Sequence, residues 1–497
     1  MPPQALAALA TLLSVAPHGN RVDLALDRGS AEIAWLSPSA FRFRRVLQGP
    51  LAPARVDPAE SISLRIDEDS GAVHIRSRLL EVTLRKRGVL VSVAQLGGPP
   101  LLADLSEPAP TASGGIAWER LAPPGVRYYG LGPSADPGFD LRGQSVRTAT
   151  PFLLSTAHYG EYHPVAGAYR FDFTPSDRYL VEAPSVDYYF FFGLTPKQIF
   201  EQANPARPSA APAWTAAPAD AGATWSALQS ALLRLVHAAM SGLNLQGRSE
   251  PSFNLAPFAN AAPELCERLR QMASLAPGVS PGPVGLSDFR AKLGPFLEAY
   301  AIEARDRGLP LWHPLPFQFP ADPESARHAD EFLLGDEMLV APIYQPGNRR
   351  SVYLPPGIWT NLETNAVSQG RSTIAVETPS LPVFARSGAI VPLESGGEME
   401  LHYFPSLGAE FFLLDNEVQE WTEVHAAPAA DVMRLEIEAR APRTYHWVVH
   451  HVDRPASVSM VNAVLPAGAW RWDAARRDLH IRLHAEARQD AIVNVAW

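Results

Sequence analysis

Residues 203–225 read "ANPARPSAAPAWTAAPADAGATW". Ala, Pro, Ser and Thr fill most of it, the composition of a linker. Trp214, Trp225 and Asp220 do not fit that description. The stretch is either a flexible joint or the worn remains of an active site. On the joint reading, Asp220 is a solvated loop aspartate whose charge favours the helix that follows. A second group, His158, Glu161 and His163 in "HYGEYH", has metal-ligand residue types. Its spacing is not the i, i+4 pair of a helical zinc site, and Gly160 would break a helix there, so a structural loop is expected. His450 and His451 are expected in a terminal strand, one ring on each face. The sequence has no Gly-x-Ser-x-Gly elbow and no phosphate loop, and "GLGPSAD" lacks the context of a dinucleotide fingerprint.

The elements that must carry these residues fall into three textures. From about Val22 to Phe200, short alternating segments such as "RVDLALDRGSAEIAWL" and "SISLRIDEDSGAVHIRS" alternate with Gly, Pro, Asp and Asn, which predicts an antiparallel β-sandwich. The basic run "LRKRG" is expected at a hairpin end. From about Asn204 to Ala329 helices are predicted. "TWSALQSALLRLVHAAMSGL" is capped by Thr224 and ended by Gly242, and "SDFRAKLGPFLEAYAIEARDRG" closes on a glycine. From about Asp330 the β pattern returns, with a break near "LESGGEMELHYF" that predicts two successive β-domains.

The chain has 497 residues, 46% hydrophobic and 19% charged, enough for several domains with sizeable cores. A net charge of −10 spread over this length argues against a nucleic-acid surface. The single cysteine, Cys266, excludes an internal disulfide and a cysteine metal cluster, and a buried, inert thiol is expected. No run approaches the roughly 20 apolar residues of a membrane span. The apolar start lacks a basic leading region, so a cytoplasmic, soluble protein is expected.

Several segments resemble glycoside hydrolase family 31, the α-glucosidase and α-xylosidase family. "YYGLGPSADPGFDLRG" and "DYYFFFGLTPKQIFEQ" resemble its N-terminal sandwich. "LEAYAIEARDRGLPLWHPLPFQFPAD" resembles the end of its barrel. "DEFLLGDEMLVAPI", "VYLPPGIWTNLET" and "LPVFARSGAIVPL" resemble its proximal C-terminal domain. The resemblance implies a galactose-mutarotase-like N-terminal β-sandwich at 1–202, a (β/α)8-type barrel at 203–329, and C-terminal β-sandwich domains at 330–395 and 396–497. A full (β/α)8 barrel takes about 250 residues, twice what this segment offers, so a truncated barrel is expected.

The resemblance also assigns residues. Counting back from Trp225, Asp220 falls on the family's acid/base aspartate, Trp214 near its first tryptophan, and Arg207 near a substrate-contacting arginine. The family's nucleophile lies in a Trp-x-Asp-Met-Asn-Glu-like stretch that this sequence lacks. Ser249 stands where a sugar-binding aspartate belongs, and "APGVSPG" replaces an Arg-x-His. Retaining hydrolysis needs two carboxylates about 5–5.5 Å apart. Only Asp220 is in evidence, so hydrolysis of α-glucosides or α-xylosides is expected to be impaired or absent. The alternatives are a non-catalytic carbohydrate-binding or scaffold protein, or a truncated gene product. Asp336 is expected in a turn or cap. The resemblance implies no cofactor and no metal, and a carbohydrate as the partner.

Overall fold

A computed structural model describes residues 9–52, 61–207, 222–243, 261–276, 288–461, 465–466 and 468–497. Strand accounts for 44% and helix for 15%. The chain divides into two compact units. One is Met1–Ser134 with Gly138–Pro212 and Met240–Leu243; the other is Ala135–Pro137 with Ala213–Ala239 and Asn244–Trp497. No helix among the described residues is long and apolar enough to cross a membrane.

The first unit is antiparallel β. Its largest sheet runs Leu12–His18, Arg21–Leu26, Ser30–Ser37, Ala40–Val46, Val186–Phe192, Tyr159–Tyr162, Phe152–Ser155, Tyr128–Gly130. Two five-stranded sheets complete it, and one apolar core joins all three: Trp35 and Phe43, Ile75 and Val82, Trp118 and Val181. The alternation in the sequence becomes half-buried strands, such as Ala72–Arg76 and Leu80–Arg85. "LRKRG" does close a hairpin, between Leu80–Arg85 and Val91–Gln95. At the centre of the large sheet, Arg42 on Ala40–Val46 grips Asp187 on Val186–Phe192 with two bonds of 2.8 Å, and Arg44 holds Glu32 at 2.8 Å.

"HYGEYH" is not a loop. Tyr159–Tyr162 is a fully buried strand, and a Cβ on Gly160 would meet Ile199 of the helix Pro196–Ala203 at 2.4 Å. The glycine is there for close approach. That helix is capped as a box, Thr195 with Gln198, and opens with a proline.

The second unit holds the remaining helices and the C-terminal sheets. Trp225–Met240 is buried on almost every side; Thr224 Oγ1 accepts the Ala227 N–H at 3.1 Å, and Gly242 follows at φ +65°. The helix predicted over 287–307 divides into Asp288–Lys292 and Gly294–Arg307. Pro295 is the reason: it lacks the N–H and its ring crowds the preceding turn. Gly308 ends the second piece at φ +74°. Cys266 is half-exposed on Pro263–Ala273 rather than buried, its thiol 3.6 Å from the Ala261 carbonyl.

A six-stranded sheet, ordered Trp312–Pro314, Phe332–Leu334, Met338–Val340, Val383–Arg386, Ile358–Asn361, Val367–Gln369, stands beside the pair Arg349–Leu354 and Ser372–Glu377. Two five-stranded sheets follow. The expected break at 393–404 is the turn of a hairpin, Ile390–Ser395 with Glu398–Tyr403, inside one of them. The histidine pair lies just past the strand Arg443–Val449, not within it. His450 turns to Asp478 at 3.0 Å, and His451, at φ +56°, reaches Thr360 at 3.3 Å.

Candidate functional site

Of the four residues singled out in 203–225, Asp220 and Trp214 lie outside the described residues. Arg207 follows a short 3-10 turn, Asn204–Ala206. Its guanidinium donates to the carbonyls of Gly242 and Phe200 and lies 5.4 Å from the rings of Phe152 and Phe200. Those contacts explain why Gly242 has no side chain: a Cβ there would strike the guanidinium. Trp225 is the half-buried first residue of its helix. Arg207 belongs to the first unit and Trp225 to the second.

Among the described residues, the second unit holds a cleft of about 590 Å³ that the sequence does not reveal. One wall is the helix Gly294–Arg307, presenting Tyr300, Glu303 and Asp306. Another is the turn at Asp336 and Glu337, and the third is the sheet surface carrying Phe412, Trp421 and Glu423. Asp336 does occupy a turn, between Phe332–Leu334 and Met338–Val340, and its carboxylate lies 3.0 Å from the buried His313. The Tyr300 hydroxyl donates to Glu337 at 2.7 Å and accepts the Asp336 N–H at 2.9 Å. Burial, with Glu337 beside it, holds the Tyr300 hydroxyl well above the ordinary tyrosine range. A phenol so placed keeps its proton. Carboxylates rimming an aromatic floor suit a polyol: the acids accept hydroxyl protons while a ring face covers the C–H edge of a sugar.

The first unit's other chemical group is locked into structure. Glu161 on Tyr159–Tyr162 is wholly buried; Arg120 donates to it and His163 lies 2.6 Å away. Arg120 also donates to Asp104 at 3.1 Å and sits 4.5 Å from the Tyr188 ring. Burial would raise Glu161, but Arg120 and His163 outweigh it and hold the carboxyl below its usual range. His158 is not part of this cluster. Its ring approaches the Leu194 carbonyl at 3.2 Å.

Residues 308–391, which carry Asp336, Glu337 and the six-stranded sheet, match the model of the glycosyl hydrolase family 31 C-terminal domain. This part of the chain is similar to the C-terminal domain of glycoside hydrolase family 31. The chain is 31% identical over 180 residues to an α-glucosidase of Saccharolobus solfataricus, covering 33% of this chain and 25% of the relative. It is 21% identical over 336 residues to an isomaltosyltransferase of Sporosarcina globispora, covering 55% and 30%. The matched region thus spans about a quarter of the length of these curated relatives. Among solved structures, it superposes on a dextranase of Flavobacterium johnsoniae complexed with glucose at a TM-score of 0.79 and 15% identity, over 99% of this chain and 100% of that one. It superposes on a cycloalternan-forming enzyme of Listeria monocytogenes, in complex with a pentasaccharide substrate, at a TM-score of 0.82 and 13% identity, over 98% and 77%. These two likenesses are of fold.

Proposed function

We propose that this chain is a family 31 member that binds carbohydrate and that its hydrolysis of α-glucosides or α-xylosides is impaired or absent. One observation carries the reading. Within 203–329, the described residues form helices and a single three-residue strand, Trp312–Pro314, which pairs antiparallel with Phe332–Leu334. A (β/α)8 site is built on the ends of parallel strands and takes about 250 residues. The lack of a nucleophile-bearing stretch in the sequence supports the same conclusion. On this reading the domains are the N-terminal sandwich, a truncated barrel and two β-domains, the last starting near Ile390, where its sheet begins. Carbohydrate as the ligand is supported by the glucose and pentasaccharide complexes of the structural neighbours.

A second reading, a working hydrolase with Asp220 as acid, is favoured by the identity to an α-glucosidase. One experiment separates them: hydrolysis of aryl α-glucoside and aryl α-xyloside by the purified protein beside its Asp220→Ala variant. We expect equal, background rates from both folded proteins, with glucose or isomaltose binding retained in titration calorimetry. Turnover that vanishes in Asp220→Ala overturns the proposal and establishes the hydrolase.

A further inference from the structure

Between the helix Leu315–Gln318 and the strand Phe332–Leu334 the chain makes a 3-10 turn, Glu324–Arg327, and then delivers His328, Asp330 and Glu331 to one place. One ligand atom from each lies within 4.8 Å of the other two. Glu331 is 1% exposed. Its Oε1 accepts the Tyr353 N–H at 3.0 Å and lies 3.4 Å from Arg350, whereas its Oε2 is buried with no hydrogen-bond partner. The His328 ring lies flat on Tyr353, 4.7 Å between centroids at 5°. Its Nε2 is also buried without a hydrogen-bond partner; the Glu324 carboxylate stands 3.5 Å from it. Asp330 Oδ2 accepts the Tyr344 hydroxyl at 2.7 Å and lies 3.1 Å from Arg350.

Glu331 Oε2 and His328 Nε2 are thus both buried without a hydrogen-bond partner, in a cluster whose ligand atoms lie within 4.8 Å of one another. Leaving such an atom unsatisfied is destabilising. Arg350 does not relieve them. Its two terminal nitrogens are committed to Asp330 Oδ2, Glu331 Oε1 and the carbonyls of Asp330 and Pro342. What satisfies an imidazole nitrogen and a carboxylate oxygen together is a cation that accepts both, and one imidazole with two carboxylates is the donor set of borderline first-row divalent metals.

We infer that His328, Asp330 and Glu331 form a binding site for one divalent transition-metal ion of the zinc class. Ligand distances of about 2.0–2.2 Å put neighbouring donors about 3.3 Å apart, so the present spread closes by a small rotamer adjustment. Arg350 holds the opposite oxygens of both carboxylates and so aims the remaining ones at the ion. The ion pins His328 to the two carboxylates that follow it and so fixes the end of the 324–331 turn, a role in architecture that is independent of whether the protein hydrolyses anything. A second triad of the same donor types, Glu423, His425 and Glu438, supplies the contrast. It is half-exposed, Arg440 lies 3.7 and 3.9 Å from its two carboxylates, and its donor atoms are not among the buried unpaired ones.

The test is titration of chelator-treated protein with Zn²⁺ by calorimetry and with Co²⁺ by visible absorption. We expect one ion per chain, a cobalt spectrum with nitrogen ligation, and at least a tenfold loss of affinity in both Glu331→Gln and His328→Gln. Glu438→Gln should bind as the wild type does. The absence of stoichiometric binding, wild-type affinity in both Glu331→Gln and His328→Gln, or loss in Glu438→Gln alone overturns the assignment. Circular dichroism checks each fold. Should Glu331→Gln fail to fold, His328→Gln, altered at a partly exposed ring, decides the question by itself.

Discussion

Each unit of the molecule builds a buried cluster around one arginine with the same cast: two carboxylates and a histidine. In the first, Arg120 serves Asp104 and Glu161, with His163 against Glu161 at 2.6 Å. In the second, Arg350 serves Asp330 and Glu331, and His328 Nε2 makes no hydrogen bond to either carboxylate. Glu161 is held below its ordinary range. Glu331, equally buried, is pushed up to about 8 by that burial, with Arg350 opposing and Asp330 adding to the rise. Burial is the same in both, so it does not decide the outcome. The number of cationic donors that touch the carboxylate does. In the first cluster the strain falls instead on Asp104, which burial raises against the pull of Arg120.

The comparison can be broken most sharply at Arg120. Arg120→Met strands Asp104 and Glu161 in a dry interior, and removing one partner of such a cluster destabilises by about 3–5 kcal/mol. Denaturant unfolding would show it, and a change under about 1 kcal/mol would refute the account. Arg350→Met should cost less, about 1–3 kcal/mol. Glu331 already leans towards its protonated form, and Asp330 keeps the Tyr344 hydroxyl. If the two losses are equal, the clusters do not differ as described.

The smallest effect is in pH. Glu161 has its folded value below the unfolded value of 4.5, so its stabilising contribution is present above that and is lost as pH falls through the folded value. In Glu161→Gln the fall of Tm between pH 7 and pH 3 should be shallower than in the wild type. An unchanged slope would mean Arg120 and His163 do not hold the carboxylate.

Much of the β architecture was legible because half-buried strands alternate with period two. Where a strand is buried on both faces the alternation disappears. That is why Tyr159–Tyr162 read as a loop. The helix Trp225–Met240 was legible from its cap and its terminal glycine, and the division at Leu293 was not, because Pro295 was read as part of a continuous pattern. The site was less legible. Tyr300, Glu337 and Trp421 share a cleft only through folding, and no motif links positions so far apart. His328, Asp330 and Glu331, by contrast, stand within four residues, and that density of ligating types was a usable signal. Asp220 and Trp214 rest on the family resemblance alone.

The pairing of Ala40–Val46 with Val186–Phe192 has a consequence for synthesis. Arg42 and Asp187 are 145 residues apart. At about 5–20 residues per second, the first four strands wait on the order of ten seconds for the strand that completes their sheet. Throughout that interval the edge at Ala40–Val46 is open, a template for any other nascent chain. Arg42 then works as a guard. The Arg42 charge repels a second copy of the same edge, and Asp187, arriving late on the correct strand, is the group that neutralises it.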